Sequence, residues 1–197
     1  MNKEEKSTST RRKFLQSAGM GLIAFGLNVN RVKAASVNQA EFQILYENDR
    51  TAISGKGMEI IQKAYNLGYQ YEEKHKGCAR CTVAALQDAI DFIPPDEGIF
   101  RAASCLDGGA TPTNLANCGS FTGSGMVIGW ICGTGRFGDN KLSHDLIHKV
   151  YTCFEEEYGS VICKEIRERS NGKCPVVVGK AAKWTAEILL KQFTNYE

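Results

Sequence analysis

Apolar residues return every three or four positions along most of this chain, and that period admits one kind of secondary structure. Ile61, Ala64, Tyr65, Gly68 and Tyr71 fall on one helical face, and so do Val83, Leu86, Ile90 and Ile93. The spacing returns in Leu142, Leu146, Ile147, Val150, Tyr151, Phe154 and Tyr158, and again from Val178 through Ala181, Ala182, Thr185, Ile188 and Leu189 to Phe193. Gly77, the pair Pro94-Pro95 and Gly159 punctuate these runs, and Pro175 stands in a first turn, where a missing N–H costs little. Asp96 and Glu97 suit the positive end of a short helix reaching about Cys105, and residues 107–117, rich in Gly, Thr, Asn and Pro, form a loop. Only residues 176–178 hint at a strand. The expected fold is all-α, a compact bundle of five or six helices.

Residues 120–132 need separate treatment. Gly123, Gly125 and Gly129 each lower helix propensity by roughly 1 kcal/mol relative to Ala. A helix that carries this cost lets a neighbour or a cofactor come close to its backbone. The run is about a dozen apolar residues, short of the ~20 that a membrane span requires. It is expected to be the central, buried helix of the bundle.

The first residues belong to a different object. Ser9-Thr10-Arg11-Arg12-Lys13-Phe14-Leu15, then a weakly apolar stretch to Val29 and basic Arg31 and Lys33, has the order of a twin-arginine export signal. Val32-Lys33-Ala34 places small or aliphatic side chains where a signal peptidase reads, so residues 1–34 are assigned to the signal and 35–197 to a single helical, cysteine-rich domain. Export to the periplasm follows, with membrane anchoring if the signal is retained. The twin-arginine route carries folded proteins, many already loaded with a cofactor. Removing 34 of 197 residues also removes seven of 24 Lys and Arg but only two of 22 Asp and Glu, which leaves the domain at net charge −3. No basic stripe remains for nucleic acid, and no membrane span is expected in the domain.

All eight cysteines follow the signal: Cys78, Cys81, Cys105, Cys118, Cys132, Cys153, Cys163 and Cys174. Cys78 and Cys81 form a C-x-x-C at the entrance to a helix, with Arg80 between them. Cys118 precedes the glycine-rich helix, Cys163 opens a short helical run, and Cys174 directly precedes Pro175. Helix N-termini stabilise thiolates, the form of cysteine that binds metal or exchanges disulfides. Cys105, Cys132 and Cys153 lie on helical faces as small core residues.

These residues also carry a resemblance. Cys118-Gly119-Ser120-Phe121-Thr122-Gly123, with the helix opened by Cys81, the later 157–163 segment ending in Cys163, and Lys173-Cys174-Pro175, resembles the C-GCAxxG-C-C family of redox-active proteins. Ser120 stands where the family has Ala. The likeness spans about 78–193. The family is related to split-Soret cytochromes c, whose similar domain is associated with an iron centre. The resemblance implies Cys81, Cys118, Cys163 and Cys174 as metal ligands, Cys78 as an additional ligand or redox partner, and Gly119 and Gly123 as cofactor-binding positions. Four thiolates suit an iron–sulfur cluster. A four-cysteine zinc site is the less favoured choice, and would be structural. Covalent haem is disfavoured, because Thr82 rather than His follows the C-x-x-C.

The function expected is that of an exported redox or electron-transfer protein with a cysteine-ligated iron centre, working with a redox partner protein or as a homodimer. Two other readings stay open: a metal-free thiol–disulfide protein using Cys78 and Cys81, and a structural module held by disulfides. Gly133-Thr134-Gly135-Arg136-Phe137-Gly138 satisfies G-x-G-x-x-G, but no strand precedes it, so a dinucleotide site is set aside. His144 and His148 lie four apart but off the apolar stripe, as a solvated pair would. His75 is near enough to the C-x-x-C to tune a thiolate. Trp130 and Trp184 are expected to pack in the core.

Overall fold

The structure, a computed structural model, describes residues 44–196. The expected signal, 1–34, lies outside the described residues. Within them are seven α-helices: α1 (Gly57–His75), α2 (Cys78–Ala89), α3 (Glu97–Ala102), α4 (Gly119–Cys132), α5 (Lys141–Tyr158), α6 (Cys163–Arg169) and α7 (Cys174–Phe193). A 3-10 turn, Ala103–Cys105, continues α3. There is no strand among the described residues, only an isolated antiparallel bridge between Asn117 and Ile162. The all-α expectation holds. Five helices are long and two, α3 and α6, are short. Residues 176–178 are helical.

Local chemistry ends the helices where the sequence indicates. Asp96 caps α3 by accepting from the Ile99 N–H at 2.9 Å. Gly159 ends α5 in the left-handed conformation, and Pro175 sits in the first turn of α7. α2 starts earlier than the apolar spacing suggests, at Cys78, so the whole C-x-x-C lies in its first turn.

α1 packs along α7, and α2 lies between α1 and α4 with α7 beneath it. The core between them is built from Leu86, Ile128, Ile131, Leu146, Val150, Phe154, Leu189 and Phe193, all fully buried. Trp184 packs edge-on against Phe154 with ring centres 5.3 Å apart, as expected of a packing residue. No helix among the described residues is long and apolar enough to cross a membrane.

Candidate functional site

Four helix N-termini point their first residues at one place. Cys78 is the first residue of α2, Cys163 of α6 and Cys174 of α7, and Cys118 immediately precedes α4. All four line a single cavity of about 360 Å³, together with Glu72, Asp107 and Arg167. All eight cysteines are free thiols.

Backbone bonding sets the thiols side by side. The Asn117–Ile162 bridge clamps the approach to α4 against the approach to α6. Cys118 N–H donates to Val161 C=O at 2.8 Å and Cys163 N–H to Ala116 C=O at 3.0 Å. Gly77 turns the chain from α1 into α2 at φ +101°, and a side chain there would meet Arg80. Arg80 itself is spent on α1, donating to the carbonyls of His75 and Lys76. Asp107, from the loop, supplies the cap α2 lacks by accepting from Ala79 N–H at 2.7 Å.

Gly119 and Gly123 do their work against α2. A Cβ on Gly119 would stand 2.4 Å from Cys78 Sγ, and one on Gly123 would stand 2.5 Å from the Ala79 carbonyl oxygen. Their missing side chains let α4 approach α2 closely enough to bring Cys118 beside Cys78. Neither glycine lines the cavity.

The thiols are not equivalent. The neighbouring Cys78 thiol holds Cys118 below the ordinary thiol range despite its burial. The Ser120 hydroxyl, 3.1 Å from Cys118 Sγ, adds to the effect. The same pairing, with burial, pushes Cys78 far up. Burial raises Cys163 and Cys174 as well, with Arg167 opposing it at both. Helix starts therefore do not favour thiolates uniformly, as the sequence suggests they should. Desolvation outweighs the helix dipole wherever no donor faces the sulfur.

Cys81 is placed differently. It opens onto a neighbouring recess lined by Tyr71, His75, Arg80, Asp88 and Phe100. Burial, followed by the neighbouring Glu72 carboxyl, pushes its thiol up to about 12. Of the four cysteines the resemblance implies as ligands, the cavity thus gathers Cys118, Cys163 and Cys174, and it adds Cys78 in place of Cys81. Cys132 is buried and Cys153 half-buried, but Cys105 is exposed on its 3-10 turn, contrary to a core role. On that turn Ala103 takes the buried side and Cys105 the exposed one. His148 is solvent-exposed and stacks on Tyr151, with ring centres 5.9 Å apart.

Sequence reasoning missed Glu72, which lines the cavity at 5% exposure. The signal was present: Glu72 is four residues beyond Gly68 on the buried stripe of α1. Burial raises its pKa, while the Cys81 thiol works the other way. Its Oε2 has no hydrogen-bond partner.

A family model described as "Putative redox-active protein (C_GCAxxG_C_C)" matches residues 77–188. The chain belongs to this family. The matched stretch holds all eight cysteines and begins after Glu72. No curated protein and no solved structure matches the chain. Among the described residues no three His, Cys, Asp or Glu side chains are gathered closely enough to hold a single metal ion.

Proposed function

We propose that this member of a redox-active family is an exported electron-transfer protein. Its working centre is an iron–sulfur cluster seated in the cavity, with Cys118, Cys163 and Cys174 as ligands and Cys78 as the thiol beside them. The observation that carries this reading is the convergence of four helix-start cysteines on one cavity. Sulfur donors of this number are the chemistry such clusters use.

When bound, such a cluster supplies one-electron oxidation and reduction. The chain's own residues would position it. The Asn117–Ile162 bridge fixes the spacing of Cys118 and Cys163, and Arg167 would balance thiolate charge. The Arg11-Arg12 segment supports export in a folded state, in which a cluster acquired inside the cell would be retained. A redox protein outside the cell membrane would exchange electrons with a partner protein or a second copy of the chain.

A second reading is favoured by one specific observation: Cys78 and Cys118 line the same cavity, and Gly119, next to Cys118, packs against the Cys78 sulfur. These two could close a disulfide, losing two electrons and two protons to the disulfide of a partner that is reduced to two thiols. The reactive couple would then be Cys78 with Cys118 rather than with Cys81.

Purification without air, followed by visible absorption with iron and acid-labile sulfide analysis, separates the two. The cluster reading expects a broad sulfur-to-iron absorption with matched iron and sulfide. A colourless protein that takes up no iron on reconstitution, and loses two thiols on mild oxidation, would overturn it in favour of the disulfide.

A further inference from the structure

The corner between α1 and α2 has a hollow on each side. Glu72, Lys76 and Cys78 line the cysteine cavity, whereas Tyr71, His75, Arg80 and Cys81 line a second recess, of about 350 Å³. Helical register separates the two, because adjacent residues of the same turns point to different sides. Tyr71 and His75 lie four apart on α1, while Cys81, Ala84 and Asp88 follow one face of α2, and Phe100 of α3 adds a further wall. The Tyr71 hydroxyl donates to Asp88 Oδ2 at 2.7 Å and ties the two faces together at the end away from the corner. Between the aromatic side chains, the small residues Cys81 and Ala84 leave room. Arg80 donates to the His75 and Lys76 carbonyls, but among the described residues it forms no ion pair. Electron transfer through the cysteine cavity alone gives this recess no task.

We propose that this recess binds a small planar aromatic molecule with an anionic group, a diffusible electron carrier of the quinone class. A hollow of this volume, with aromatic walls and a few polar groups, has the make-up of a small-molecule site. Tyr71 and Phe100 offer rings against which a flat ring system packs. At the corner end, the Arg80 guanidinium attracts the anionic group, and its planar fork suits oxygen acceptors. The proposal rests on the reading of the cysteine cavity as a redox centre, and deepens it by naming the chemical class of its electron partner. Only the α1–α2 corner stands between the two hollows. One electron lost by the centre is gained by the bound ring, and no atom is transferred.

The probe is anthraquinone-2-sulfonate, a planar anion whose fused outer rings close the quinone carbons to thiol addition. The full chain is titrated with it by calorimetry in wild-type, Ala84→Leu, Phe100→Ala and Arg80→Gln forms, first without iron and then reconstituted with iron and sulfide. Ala84 is half-buried and Leu is a good helix former, so Ala84→Leu fills the recess and leaves the core intact, as circular dichroism would verify. The wild type is expected to bind the probe saturably, and Ala84→Leu and Phe100→Ala about tenfold more weakly. Arg80→Gln should weaken binding and reduce its salt dependence. Reduced, iron-loaded wild type should pass electrons to sub-saturating probe about tenfold faster than Ala84→Leu does, in line with its tighter binding. The site is overturned if the wild type does not bind the probe, or if folded Ala84→Leu and Phe100→Ala bind it as the wild type does. Equal electron-transfer rates in wild type and Ala84→Leu overturn the carrier role. A chain that binds the probe as expected but takes up no iron defeats the redox-centre reading of the cavity, and leaves the recess as a site for an aromatic anion.

Discussion

The two ends of α4 each carry a cysteine, and the two thiols live under opposite conditions. Cys118 stands at the N-terminal end, where the Cys78 thiol and the Ser120 hydroxyl face it and the helix dipole favours negative charge. Cys132 stands in the last turn, donates to the Ile128 carbonyl at 3.1 Å, and is raised by burial to about 11. Both are nearly inaccessible to solvent. Burial alone therefore does not decide what a cysteine is. The donors that face it and the end of the helix it occupies do.

The largest effect should come from exchanging each of these cysteines for alanine. Cys118→Ala is expected to abolish iron retention by the reconstituted protein, and Cys132→Ala to retain the wild-type amount, both read by metal analysis. Equal losses would break the distinction between the two ends.

The glycines of α4 divide in the same way. Gly123→Ala drives a methyl group into the Ala79 carbonyl, a backbone contact that cannot step aside, and should destabilise the fold by about 3 kcal/mol in urea unfolding. Any such loss should be accompanied by weaker iron binding, since the same contact seats Cys118 beside Cys78.

A pH series sharpens the comparison. The unfolded chain ionises Cys132 near the ordinary thiol value of 9, whereas the folded chain holds its proton up to about 11. The folded state thus binds more protons between these values, and stability falls as pH rises through that window, by roughly 2 kcal/mol once the folded thiol ionises. Cys132→Ala should lack this part of the alkaline loss when unfolding midpoints at pH 8.5 and 11 are compared.

The smallest effect has the opposite sign. Nothing lies within 4 Å of a Cβ built on Gly129, so Gly129→Ala should stabilise the protein by up to ~1 kcal/mol through helix propensity alone. A rise in the urea midpoint would show that this glycine, unlike Gly123, serves no contact.

Much of the fold is legible in the residues because helices are local. The three-four spacing marks the long helices, Asp96 and Gly159 mark ends, and the cysteines at 118, 163 and 174 announce themselves at helix starts. The site was legible only in part. Cys118, Cys163 and Cys174 are brought together as the family likeness implies, yet Cys78 rather than Cys81 completes the ring of thiols. One turn of α2 separates them, and the apolar spacing that begins at Val83 does not show that the helix starts at Cys78. Glu72 was hidden for a plainer reason: a glutamate near the end of an amphipathic helix, beside Glu73 and Lys74, reads as solvent-facing.

By itself the sequence determined an all-α chain of a redox-active cysteine family, with its thiols placed where helix dipoles act on them. Those features depend on residues a few positions apart. Which thiol carries the lowered pKa, which glycine bears a contact, and which carboxylate is left unpartnered were decided by tertiary structure. Each depends on what α1, α4 and α7 press against α2, and desolvation and close approach exist only once those distant segments have packed.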